Sequence, residues 1–212
     1  IAEVAIFLVP LMGSIYFGAM LIALTLNLDQ VFPAFKLILV DAFNGTAIAG
    51  GTFFGVLIYG VRRGAFSNEA GMGTESLVHG VAKVSDPVKQ GLVAMTGPIF
   101  DTLIICTATA LMILISGVWE TSTSQGVTLT AEAFSMLLGN FGGFILFICV
   151  ICFGLSTIFT YSYYGASCSR FLFGKFGMKF YIYLYIFSIF IYSIVPIDIA
   201  INIADGAFAM MA

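Results

Sequence analysis

Long uncharged runs constrain this chain more than any other feature. A helix needs about 20 mostly apolar residues to cross a bilayer. Five stretches qualify, at about 4–26, 35–61, 87–118, 133–163 and 180–195, and a sixth opens near 197. Only 9% of the residues are charged and 60% are hydrophobic, with a mean hydropathy of +1.09. A water-soluble domain carries roughly 25% charged residues. The expected fold class is therefore all-α: a polytopic membrane helix bundle of five spans plus a truncated sixth, in one transmembrane domain over 1–212. Its environment is a lipid bilayer, and no nucleic-acid partner is expected. Both ends fall within apolar runs, so a longer polypeptide is expected.

The basic residues give the spans a direction. Arg62, Arg63, Lys83 and Lys89 flank the connection at 62–86, and Arg170, Lys175 and Lys179 lie in the connection between the fourth and fifth spans. Two spans separate these connections, so they share a side. Seven of the eight Lys and Arg residues thus lie on one face, which the positive-inside rule makes cytoplasmic. The expected location is the cell membrane, with Asp29, the loop 119–132 and Asp198 outside.

Function is sought where the apolar pattern breaks, because intramembrane polar groups are costly. The second span carries Asp41, Asn44, Gly45 and Thr46, then Gly50 and Gly51. Asn-Gly and Gly-Gly are turn signals, so its centre is expected to unwind. Unwound backbone at that depth can hold an ion or a charged ligand. The third span carries Asp101 and Thr102, candidates for ion or proton coupling. Thr107 and Thr109 can bond back to their own helix. In the fourth span Phe153, Ser156 and Thr157 stand at i, i+3 and i+4, so one face offers a carbonyl and two hydroxyls. The tyrosines at 161, 163 and 164 fit an interfacial aromatic belt. The four cysteines read as small buried apolar groups, and the single histidine leaves a tetrahedral metal site without enough ligands.

Taken together, "GVRRGAFSNEAGMGTES", "DPVKQGL" and "FDTLIICTATALMIL" resemble the sodium:alanine symporter family, as do "LVPLMGSIYFGAML" and "GLSTIFTYSYYG". The resemblance covers nearly the whole chain. It implies a leucine-transporter-type fold of ten core helices in two inverted repeats (5+5). The chain then holds core helix 5 (about 4–26), helix 6 (35–61), a cytoplasmic connection (62–86), helix 7 (87–118), an external loop (119–132), helix 8 (133–163), helix 9 (180–195) and the start of helix 10 (197–212). The N-terminal half of the polypeptide, with the first helix, is the implied partner.

The implied function is sodium-coupled symport of alanine or glycine. Phe43, Asn44, Gly45, Thr46 and Gly50 are the implied substrate contacts. Phe153, Ser156 and Thr157 are the implied sodium ligands. Sodium is co-transported cargo, and no cofactor and no other metal is expected. Where the family commonly has tryptophan, this chain has Tyr161. Arg62, Arg63, Ser67, Asn68, Glu69 and Gly71 belong to the signature stretch and are assigned to gating, with Ser67 or Asn68 capping a short helix and the arginines close in sequence to Glu69 and Glu75. Two alternatives stand beside this reading. One is proton coupling through Asp101. The other is an intramembrane aspartyl protease using Asp41 and Asp101, which the "IFDT" setting disfavours.

Overall fold

A computed structural model describes residues 2–42, 53–69, 71 and 73–211. Among them every regular element is helical: α1 (Ala2–Leu26), α2 (Leu28–Ala42), α3 (Phe53–Asn68), α4 (Thr74–His79), α5 (Pro87–Ala94), a turn at Thr96–Pro98, a π-helix at Ile99–Cys106, α6 (Thr107–Ser116), α7 (Val118–Thr121), α8 (Val127–Leu138), α9 (Asn140–Tyr192) and α10 (Ile197–Met211). Three stretches are long and apolar enough to cross a membrane: Phe7–Leu26, Pro87–Ser116 and Asn140–Tyr192. The all-helical, multi-pass expectation stands on these.

Two compact units are present. The first comprises Ile1–Asn68 and Met95–Ser156. Here α6 packs against α1, α2 and α8. The core is Tyr16, Ala19, Met20 and Ala23 of α1, Met112 of α6, Phe134 of α8, and Leu146 and Cys149 of α9. Lipid tails are as apolar as these side chains, so close packing rather than the hydrophobic effect holds them. Ala19 and Ala23 permit that approach. Tyr16 stacks on Phe134 at 5.5 Å. Thr109 gives its proton to the Ile105 carbonyl at 2.8 Å, so Tyr16 donates to Thr109 at 2.9 Å. A buried phenol in an apolar core is thereby satisfied.

The second unit comprises Glu69–Ala94 and Thr157–Ala212. It is built around a helical hairpin. Gly174, at φ 70° and ψ −157°, interrupts α9 and turns the chain back. An L side chain rarely adopts that backbone. The two arms close without intervening side chains at Gly165, which lies under the Tyr181 ring. Tyr185 donates to the Ile158 carbonyl across the same seam at 2.9 Å.

Several boundaries differ from those read in the sequence. A loop was expected around Asp29, yet only Asn27 separates α1 from α2. Its side chain donates to the Ala23 carbonyl at 2.9 Å, which caps α1 and lets the next helix begin at once. The fourth span was expected to start near 133 and run unbroken. Instead Gly139, at φ 68°, separates α8 from α9. The connection expected at 164–179 is helical on both sides of Gly174, because Phe171, Leu172, Phe173 and Phe176 extend the apolar pattern to the turn. Arg170 and Lys175 flank that turn in the chain. Phe171, beside the turn, is 89% exposed.

Candidate functional site

The five implied substrate contacts, Phe43, Asn44, Gly45, Thr46 and Gly50, lie outside the described residues. Helix is described on either side, α2 to Ala42 and α3 from Phe53. Asp41, in the last turn of α2, is exposed.

The clearest polar arrangement joins two parts of the chain that the sequence offered separately. Ser67 and Asn68 are the last residues of α3. Ser67 Oγ donates to Asp101 Oδ2 at 2.6 Å, and Asn68 Nδ2 donates to Thr102 Oγ1 at 2.9 Å. Neighbours on one element thus pair with neighbours on another, each 34 positions on. Cys106 Sγ lies 3.6 Å from the same Ser67 hydroxyl. Asp101 and Thr102 sit on the π-helix. Such segments are rare, and they are frequent at functional sites. Its sequence cause is Pro98, which has no N–H to give to the preceding turn and so weakens the α ladder just before Ile99. Thr107 Oγ1 reaches the Thr102 carbonyl at 3.5 Å, five residues back, following the π register. Asp101 therefore has neutral donors beside it, an arrangement that steadies a carboxylate without cancelling its charge. A bond of this kind to a charged group contributes about 1.5–3 kcal/mol.

The implied sodium ligands are placed on α9. Ser156 Oγ donates to the Phe153 carbonyl at 2.8 Å, three residues back. That bond uses the hydroxyl proton, the usual back-bonding of a serine within a helix. The Phe153 ring meets Tyr16 edge-on at 5.9 Å and packs against the first unit's core, which fixes where this turn of the helix sits. Ser156 and Phe153 are half-buried and Thr157 is exposed. Oxygen atoms presented in this way suit a monovalent cation that needs no anionic ligand. Among the described residues no group of three or more His, Cys, Asp or Glu side chains converges for another metal.

The signature stretch is placed differently from its sequence reading. Arg63 lies over the Tyr59 ring, 4.9 Å from its centroid. Ser67 and Asn68 end α3 and do not cap the following helix. The N-cap of α4 is Gly73, at φ 81°, with no side-chain cap. Gly71, at φ 83°, bends the entry to it. Both hydroxyl and amide are instead engaged by Asp101 and Thr102, which is why neither is available as a cap. Glu69 carries the left-handed φ of 55°. Its Oε2 accepts from Thr74 Oγ1 at 2.7 Å and its Oε1 from the Tyr161 hydroxyl at 2.8 Å. Tyr161 is edge-on to Tyr164, with ring centroids 5.6 Å apart.

Sequence reasoning did not find Tyr161, Thr74 or Cys106 as partners. Glu69 and Tyr161 are 92 residues apart, and no periodicity connects them. The one available signal was a hydroxyl-bearing aromatic following "FGLST".

Residues 1–212 match the sodium:alanine symporter family. The sodium/alanine symporter AgcS of Methanococcus maripaludis is 36% identical over 97% of this chain and 46% of its own length. An uncharacterised transporter, YflA of Bacillus subtilis, is 37% identical over 90% of this chain and 42% of its own. The probable sodium/glutamine symporter GlnT of the same bacterium is 37% identical over 81% of this chain and 36% of its own. The chain spans less than half the length of these relatives.

Proposed function

The chain belongs to the sodium:alanine symporter family, a family of transporters and not enzymes, and on that premise we propose that it forms part of a carrier coupling sodium to a small neutral amino acid. Alanine or glycine is the proposed substrate, and the cytoplasmic membrane the proposed location. The observation that carries the reading is the whole-length family match, with a sodium/alanine symporter at 36% identity. The oxygens of Phe153, Ser156 and Thr157 form the sodium site together with the other half of the polypeptide. The second span, around Phe43 to Thr46 and Gly50, closes on the amino acid. Inverted repeats supply the alternating access. Coupling then requires that sodium bind one conformation more tightly than the other, since equal affinity shifts nothing.

Uptake of labelled alanine, glycine and glutamine by the full-length protein in proteoliposomes tests this. Replacing external sodium with choline should abolish alanine uptake. Uptake that survives in choline and follows an imposed pH gradient would favour proton coupling through Asp101. Glutamine uptake exceeding that of alanine would move the substrate class.

A further inference from the structure

Among the described residues Glu69 is the one non-glycine residue with a positive φ, at 55°. A side chain is disfavoured there, and such backbone persists only where its surroundings hold it. Three hydroxyls do so, those of Thr74, Tyr161 and Tyr164. Thr74 lies five residues on, past Gly71 and Gly73, so its bond closes the segment on itself. Tyr161 reaches in from α9 as the short tie from outside the segment, and the Tyr164 hydroxyl on the same helix also hydrogen-bonds the Glu69 carboxylate. Its edge-on contact with Tyr164 aims the ring. An interfacial anchor needs an aromatic ring at this depth, and it does not need a hydroxyl 2.8 Å from a strained glutamate.

We propose that Tyr161 is a positioning residue of the carrier: its hydroxyl holds Glu69 in the left-handed form, and each transport cycle releases and remakes the bond to Glu69. The proposal rests on the transport reading above. Its physical basis is an opposition. Hydrogen bonds to the carboxylate favour the strained form, and the backbone of Glu69 favours any other. Two opposed terms of similar size make a two-state element, which a ligand with modest differential affinity can move. A neutral hydroxyl suits that task. When the bond opens, no second charge is left behind without a partner, as it would be with an arginine.

The test uses the full-length protein in lipid, with hydrogen exchange of segment 69–80 and alanine uptake measured on the same variants. Tyr161→Phe should speed exchange of the segment about fivefold or more. It should lower maximal uptake about threefold and leave half-saturating alanine within about twofold. Tyr163→Phe should match the unsubstituted protein. In a Glu69→Ala background, Tyr161→Phe should add nothing. Unchanged exchange in Tyr161→Phe overturns the proposal. Faster exchange with undiminished uptake overturns it too, because the bond would then be structural only. Additive losses in the double variant place the action of Tyr161 elsewhere. If the unsubstituted protein fails to take up alanine, the transport reading fails, while the exchange result still decides whether the bond holds the segment.

Discussion

A carboxylate in a membrane helix needs a partner, and Ser67 supplies one to Asp101 at 2.6 Å. Sequence reasoning identified both residues, one as a possible cap and the other as a possible coupling group. It had no means of joining them, because a pairing 34 positions apart leaves no periodic trace. Ser67→Ala should destabilise the folded protein by about 1–3 kcal/mol, since it strips a hydrogen bond from a partly buried carboxylate. In a double-mutant cycle with Asp101→Asn, the two losses should overlap by about 0.5 kcal/mol or more, read from thermal unfolding in detergent. Fully additive losses would separate the pair. Ser156→Ala should raise the sodium concentration for half-maximal uptake about tenfold, the equivalent of one ligand worth about 1.4 kcal/mol. Half-saturating alanine measured at saturating sodium should not change.

Glu132, in the second turn of α8, accepts from the loop that precedes the helix and offers a pH test outside the three long apolar stretches. Hydrogen bonds from Ser122 and Ser124 hold its carboxyl below the ordinary glutamate range. A depressed carboxyl stabilises the folded loop above its unfolded value and loses that contribution as pH falls through the folded value. Carboxyl-carbon NMR should therefore show Glu132 titrating higher in a Ser122→Ala, Ser124→Ala double variant, and the acid-dependent loosening of the loop should be lost.

At the scale of elements, glycines at helix breaks shape each unit. Gly139 and Gly174 share nearly the same backbone, at φ 68° and 70°. Alanine at either position should destabilise by about 1–3 kcal/mol, because the left-handed backbone admits a Cβ only with strain. Gly18 is the control: it lies within α1, and a Cβ there would meet nothing within 4 Å. Gly18→Ala should be neutral or stabilise by up to about 1 kcal/mol. Gly165→Ala should destabilise through the Tyr181 ring, and Tyr181→Ala should relieve that loss. These positions also mark the limit of sequence reading. The apolar runs declared helix and membrane at once, since hydropathy alone carries that information. The stops did not show, because Gly174 in "FLFGKF" looks like the helical Gly13 or Gly18. The π-helix was equally hidden. Pro98 announces a disturbance, but only the hydrogen-bond register shows that it widens the following turns.

At the scale of the whole molecule, the family and its transport role were legible because the signature strings are long and ordered. The substrate was not, since relatives of similar identity are named for alanine and for glutamine. The central claim is coupling, and coupling is reciprocal: if sodium drives alanine, alanine must drive sodium. Proteoliposomes containing the full-length protein can be given an inward alanine gradient with equal sodium on both sides and the membrane potential clamped. Radioactive sodium should then accumulate transiently inside, and Ser156→Ala should diminish the overshoot. Alanine that equilibrates with no net movement of sodium would contradict the account.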